Sequence, residues 1–284
     1  MLTTLAALAA LAAAQQTDTT LPVKQGARLE VNNFGGEIAI KTWSRNAVRI
    51  NASHSSRDHV DVSVSDVVVS VRSTGRHGTP QVVDYEITVP AWMSLNLSGT
   101  YADITVEGTQ GEITAETVQG EVKVTGGSGL VSLRSVNGEV TLENAKGRID
   151  LNTVNEGITA RSVAGDLNVE TVNGDVTLEK VESSNVEATT VNGGITYDGT
   201  IKDGGRYHLS THDGDLSVSI PENANVAVSV STFDGDFNSC FPITLKDKQK
   251  HRFHFTVGSG SARLELESFN GDIKLCRPGR TKEE

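Results

Sequence analysis

The sequence predicts an all-β fold: a parallel β-helix, or β-solenoid, with two strand units of roughly nine residues per coil and irregular β caps. Three observations carry this expectation. A nine-residue unit runs without a gap from Ala102 to Ser183, an 18-residue period lies over it, and the apolar residues are aliphatic, with aromatics at only 5%. With 28 glycines and 37% apolar residues in 284, the core is expected to be narrow. A balance of 25 Lys+Arg against 36 Asp+Glu, net -11, makes nucleic acid an unsuitable partner.

At the N-terminus, Leu5 to Ala14 is a short run of Leu and Ala ending in small residues, followed by polar Gln15 and Gln16. This reads as a signal peptide over 1–14, although Met1 to Thr4 lacks Lys and Arg, with a flexible mature start over 15–22. No later stretch approaches the roughly 18 unbroken apolar residues of a membrane helix. From there the chain reads as one domain, 23–276, without a low-complexity linker.

Residues 23–100 supply N-terminal cap strands, expected over 28–31, 37–41, 60–71 and 82–89, the last closed by Pro90. The regular repeat occupies 101–200. Its turn glycines are Gly111, Gly120, Gly129, Gly138, Gly147, Gly165, Gly174 and Gly193, with Glu156 and Ser183 standing in register where Gly is missing. After each Gly, apolar residues alternate with polar ones, as in Val176-Thr177-Leu178, the period of a half-buried strand. The Asn-Gly pairs are read as supplying positive φ for tight turns, which leaves an antiparallel meander as the competing topology. The solenoid is preferred because Val136, Val154 and Val172 recur two residues before the Gly position and are read as a buried aliphatic corner. Stacked coils at strand spacing would then hydrogen-bond to the coils above and below and need caps at both ends.

Residues 201–276 carry the same unit at wider spacing, seen at Gly214, Gly235 and Gly271, with a charged insertion at 246–250, and 277–284 reads as a disordered tail. Cys240 and Cys276 each fall five residues after a unit glycine, Gly235 and Gly271. Equivalent places on adjacent coils would bring them within disulfide reach in an oxidising compartment, the alternative being two independent thiols.

No catalytic, cofactor or metal site is read from the chain. A calcium-binding β-roll needs Asp two residues after its last Gly, and here that place holds Ile113, Val122, Val131, Val140 and Ile149. The acidic residues directly after Gly, Glu112, Glu121, Glu139, Asp166 and Asp175, are expected to form a solvated outer ladder. His208 and His212 share a strand side but lie some 13 Å apart by strand rise, and the others, His54, His59, His77, His251 and His254, show no ligand spacing. Arg134, Asp150 and Arg161 are the charges a polysaccharide-cleaving β-helix would use, yet short coils leave little room for active-site loops. Trp43 and Trp92 are expected in the N-terminal cap.

Taken in order, Leu29-Glu30-Val31-Asn32-Asn33, Gly36-Glu37-Ile38, Trp43, Ile87-Thr88-Val89-Pro90, the Val-Asn-Gly units, Ser219-Ile220-Pro221 and Asn270-Gly271-Asp272-Ile273 span roughly 23–276. This series resembles the bacterial putative-adhesin family of β-strand-repeat proteins, a domain of unknown function related to auto-transporter adhesin head domains. The resemblance implies an exported bacterial β-helix without catalytic residues or cofactor. The function expected is therefore a non-enzymatic cell-envelope protein, periplasmic or at the cell surface. It would present a rigid polar surface to an envelope protein or glycan. A carbohydrate-active enzyme and an envelope-stress accessory are the alternatives.

Overall fold

The computed structural model describes residues 15–56, 58–65, 67–75, 82–242, 247–249 and 251–278. The signal peptide read over 1–14, His77 and most of the expected tail lie outside the described residues. Within them the chain is all-β, and its 24 strands join into one hydrogen-bonded network without a helix.

The alternation of apolar and polar residues builds two columns of strands. In the first, β8 (Ile113–Glu116), β10 (Ser128–Arg134), β12 (Lys146–Asn152) and β14 (Ala164–Glu170) pair in parallel, with Ile113, Val131, Ile149 and Leu167 in register. In the second, β9 (Val122–Gly126), β11 (Val140–Glu143), β13 (Ile158–Arg161) and the start of β15 (Val176–Asn192) do the same through Val122, Val140, Ile158 and Val176. Every step in these series is 18 residues, so the sequence period becomes the pairing register. The result is a solenoid-like stack, not a meander. Val140 and Leu142 are 0% exposed and Ile149 and Leu151 1%, so the apolar half of each unit faces the interior.

The corner between the columns differs from the sequence reading. Val136 and Val172 are 39% and 40% exposed and Val154 is half-buried, so the valines are not a buried corner. The residue before each valine turns inward instead. Thr117, Ser135, Thr153, Thr171 and Thr190 are buried, and their hydroxyls donate to the carbonyls of Ala102, Gly120, Gly138, Glu156 and Gly174 in the coil below. The same bond recurs from Thr211 to Gly193 and from Ser268 to Gly214. A hydroxyl is needed here because the corner bends the backbone out of the ladder and leaves a carbonyl that must find a donor. Thr153→Val keeps the shape and removes that donor. Urea unfolding of this variant is expected to show a loss of about 1–3 kcal/mol, the cost of a buried unsatisfied acceptor.

The glycines also act differently from the expectation. Gly147 and Gly165 do take positive φ, at 118° and 119°, but Gly138 and Gly174 do not. What fixes Gly138 is space: a Cβ there would lie 1.8 Å from the carbonyl oxygen of Gly120 in the adjacent coil. Close stacking accounts for glycine at 138 and 174, while Gly120, Gly193, Gly235 and Gly271 of the same column also take positive φ, 148° to 159°. The left-handed corner falls elsewhere, on Asn144, Ser162 and Lys180, at φ of 56°, 54° and 53°.

Coil order at the two ends is not the order of the sequence. β2 (Arg28–Trp43) pairs with β7 (Ser94–Thr109) on one side and with β5 (Val68–Gly75) and β6 (Asp84–Pro90) on the other, so the first long strand is internal. At the far end β23 (Ala262–Asn270) sits between β17 (Arg206–Asp213) and β19 (Val226–Asp234). Its partner β24 (Ile273–Cys276) likewise sits between β18 (Leu216–Ser219) and β20 (Phe237–Ser239). Antiparallel strands then close the stack. β1 (Gln15–Pro22) and β3 (Ala47–His54) lie beyond β6, β4 (Asp58–Val64) beyond β5, and β22 (Arg252–Val257) and β21 (Asp247–Gln249) beyond β19.

Two sequence expectations are corrected here. The segment 15–22, expected to be flexible, is strand β1, paired along its whole length with β3. The single strand expected over 60–71 is the hairpin β4–β5. Cys240 and Cys276 form a disulfide with Cα atoms 4.8 Å apart, tying the outermost coil to β24.

Candidate functional site

The outward residues of the first column form rows, because the parallel register brings the same position of each unit into line, with one residue, Ser184, inserted where β15 pairs with β14. One row runs Arg148, Asp166, Asn185, Arg206, Arg263. The next runs Asp150, Asn168, Glu187, His208, Glu265. Together they line an open recess of about 710 Å³ on the sheet face, whose wall holds five carboxylates and three guanidiniums. Sequence reasoning expected a surface without a cleft and treated these charges as isolated. The one residue inserted into the 18-residue period before Thr190 is the bulge in β15 opposite Gly165 and Asp166, the one break in the register of these rows.

Local pairing decides which groups are free to bind. Arg148 lies 3.5 Å from Asp150, His208 lies 3.7 Å from Glu265, and the Asn185 amide donates to Asp166 at 2.8 Å. Arg206 and Arg263 face each other directly across β17 and β23, and neither has an ion-pair partner among the described residues. Like charges opposed on adjacent strands cost stability unless something between them accepts hydrogen bonds, so this pair is the most reactive point of the recess toward a ligand oxygen. Asp166, Glu170, Glu187 and Glu265 are exposed and Asp150 half-exposed.

Buried phenols and exposed ion pairs carry the displaced proton affinities. Burial pushes the Tyr85 hydroxyl up to about 12, and raises Tyr197 and Tyr207 as well. Tyr207 donates to the Ser183 carbonyl at 2.7 Å and accepts from the Lys202 amide at 2.8 Å, so it anchors the turn at the rim of the recess. The hydrogen bond from Arg49 holds Asp18 below the usual carboxylate range, and the bond to Glu179 raises Arg161.

The other residues singled out in the sequence are dispersed. Arg134 and Asp150 are on the first column, while Arg161 lies on the second, 2.8 Å from Glu179 and 3.7 Å from Glu143. His212 stands at the corner with its ring 4.8 Å from that of Phe269, away from His208. Trp43 and Trp92 are half-buried in the N-terminal cap and donate their indole N–H to Ala47 and Asn46. Among the described residues no group of three or more His, Cys, Asp or Glu side chains is placed to hold a metal ion. Among them, too, no helix is long and apolar enough to cross a membrane.

A second surface went unnoticed in the sequence. The corner valines Val118, Val136, Val172 and Val191 are 39–47% exposed and lie one above another with half-buried Val154. Beside them, Asn137, Asn155, Asn173 and Asn192 form a ladder of side-chain amide bonds at 2.5, 3.1 and 2.7 Å. Toward the C-terminal end the valine position is taken by His212, Phe269 and Phe233, the two phenylalanines stacked at 4.6 Å and 45% and 64% exposed. Toward the N-terminal end it is taken by Thr100 and, one coil further, by Phe34, which packs on exposed Tyr101 at 5.3 Å.

The profile of the family described as Toastrack DUF4097 matches residues 11–173 and 167–276. None of the curated proteins matches the chain. Among solved structures, one titled a putative adhesin from Parabacteroides distasonis is similar at 12% identity over 93% of this chain and 98% of its own, with a TM-score of 0.40. One titled a putative cell adhesion protein from Clostridium sporogenes is similar at 11% identity over 93% of this chain and 100% of its own, with a TM-score of 0.26.

Proposed function

The chain belongs to the Toastrack DUF4097 family, and from that premise we propose that it is a non-enzymatic, exported cell-envelope protein that uses its stacked coils as a rigid binding surface. In this reading each coil holds two strand units of about nine residues, and the ligand, an envelope protein or glycan, lies across the rows of the first column. The observation that carries it is the recess of about 710 Å³, with Arg206 and Arg263 opposed on its last two strands, without an ion-pair partner among the described residues, and with amides and carboxylates on the strands beside them. Such a wall offers planar donors and acceptors to hydroxyl or carboxylate oxygens over several coils, which suits an extended polar chain. Export is supported by the leader-like segment at 1–14 and by the Cys240–Cys276 disulfide, a bond that persists in oxidising compartments.

The test is a glycan and protein array probed with the purified chain. Saturable binding is expected, weakened at least about tenfold in the Arg206→Ala/Arg263→Ala variant, the loss of charge-assisted bonds worth about 1.5–3 kcal/mol. Both positions are exposed, so the melting temperature should hold. Absence of saturable binding, or binding indifferent to the two arginines, overturns the proposal. So does release of reducing ends or unsaturated products from a polysaccharide panel, which would make the recess an active site.

A further inference from the structure

The recess on the first column is polarised, with its free cations at one end and its free carboxylates beside them. On the reading of the recess as a binding site, we infer that its ligand is a glycan that is neutral over most of its length and carries one carboxylate-bearing sugar, held by Arg206 and Arg263.

Local pairing sets the polarity. Arg148 is taken by Asp150, and Glu265 by His208. The Asn185 amide donates to Asp166 at 2.8 Å and the Asn152 amide to Glu170 at 3.4 Å, but bonds from amides leave both carboxylates charged. The Glu187 side chain, like those of Arg206 and Arg263, has no hydrogen-bond or ion-pair partner among the described residues. The end on β17 and β23 therefore offers two guanidiniums with empty N–H forks, while β14 and β15 beside it show Asp166, Glu170 and Glu187. Beyond β23 the same rows continue in Ala227 and Ser229, which add no charge.

A guanidinium fork matches the two oxygens of a carboxylate, and two forks on strands about 4.8 Å apart match one such group held between them. Seating an anion there also relieves the repulsion of like charges opposed in register. A second anion one or two strands further along would instead face Glu187 and Asp166. At physiological salt a charge is felt over about 8 Å, so one carboxylate on the arginines answers to the groups around it more than to the chain's net charge of -11. A polymer charged on every sugar meets both the carboxylates of the recess and that net charge.

The rest of the wall suits neutral sugars. Asn168 and Asn185 present amides and Glu187 a free acceptor for hydroxyl groups. The recess crosses five strands from β12 to β23, about 19 Å at strand spacing, the reach of a short oligosaccharide. Ile149, Leu167, Val186 and Tyr207 are all buried beneath the rows, so the recess lacks the apolar or aromatic anchor on which protein partners depend. It equally lacks a ring on which a neutral sugar would stack, which leaves charge and hydrogen bonds to select the ligand.

Isothermal titration calorimetry on the purified full chain tests the inference. The probes are a xylo-oligosaccharide bearing one glucuronate, the same oligosaccharide with that carboxyl reduced to the alcohol, oligogalacturonate of equal length, and polyglutamate. Sialyllactose and its carboxyl-reduced form repeat the comparison on a second acidic sugar. A singly acidic sugar should bind at least about tenfold tighter than its alcohol, and tighter than oligogalacturonate or polyglutamate. In the Arg206→Gln/Arg263→Gln variant the acid and the alcohol should bind alike, a coupling that a general loss of structure would not produce. Its melting temperature should not fall, since a like-charge pair is removed. Equal affinity for acid and alcohol on both sugars overturns the inference, as does a preference that survives in the variant. So does oligogalacturonate or polyglutamate binding as tightly as the singly acidic sugars. Arginine-dependent binding of a neutral glycan or a protein on the array overturns this inference and leaves the recess a binding site, whereas absence of saturable binding to every probe and to the array removes both.

Discussion

Gly138→Ala is expected to lower the stability of the whole stack by about 3 kcal/mol or more, a loss in the range of severe packing defects. The added methyl carbon would sit 1.8 Å from the Gly120 carbonyl oxygen, so one coil must move away from the next. That movement stretches the bonds from Asn137 N–H to the Val118 carbonyl and from Gly120 N–H to the Asn137 carbonyl, and pulls the Ser135 hydroxyl off Gly120. Backbone cannot rotate out of the way as a side chain would. For a domain of this size the melting temperature should fall by roughly 6–12 °C, at about 2–4 °C per kcal/mol. Gly35→Ala is the comparison: its new atom would meet nothing closer than 3.4 Å and its φ is not left-handed, so calorimetry should show little change. Equal effects at the two sites would mean that backbone freedom, not coil spacing, is what glycine supplies.

Ending the chain after Gly260 is expected to abolish cooperative unfolding. The removed β23 and β24 are the last strands in sequence but not in space. Without them β17 and β18 lose the partners that separate them from β19 and β20. Leu264, Leu266, Ile273 and Leu275 are each 0% exposed, and their burial is worth roughly 1.5–3 kcal/mol apiece, about 6–12 kcal/mol together. That is comparable to the roughly 5–15 kcal/mol by which a domain is stable at all. The disulfide goes with them, since Cys276 lies beyond the cut. Removing residues 15–22 is the contrast, because β1 is an outer strand paired with β3 alone, and circular dichroism should record only a modest drop in melting temperature. Survival of a sharp transition after the C-terminal truncation would show that β19 and β20 can dock directly on β17 and β18.

The internal placement of β2 and β23 leaves antiparallel strands to cover most of the outside of the stack. β4 covers β5, β3 covers β6 and β22 covers β19, while β20 pairs with β24 alone among the described residues. An exposed parallel edge would invite further chains to add, and burying the chain's own ends blunts it. The outer strands are short or polar, as in Asp247–Gln249 and Gln15–Pro22.

The strands of the regular repeat were legible because one face of each is buried. Val140 and Leu142, or Ile149 and Leu151, alternate with polar neighbours, and a one-residue slip would turn them to water. The cysteines were legible for the same reason: five residues after a unit glycine is one position in two coils. The corner was not legible, because Thr-Val-Asn offers both a β-branched apolar side chain and a hydroxyl. Hydropathy alone picks the valine, yet the unpaired carbonyl of the neighbouring coil picks the threonine. Neither the recess nor the pair Arg206 and Arg263 could be read from spacing, since the two arginines are 57 positions apart along the chain.

By itself the sequence determined that the strands are half-buried, that they recur every 18 residues, and that the interior is aliphatic, because side-chain period and coil length are local properties of the repeat. Tertiary structure alone decided which coil stacks on which, which side of the corner faces water, and which charges meet across β17 and β23. Those outcomes depend on carbonyls and strand edges contributed by residues far apart in the chain, whose partners no local pattern names.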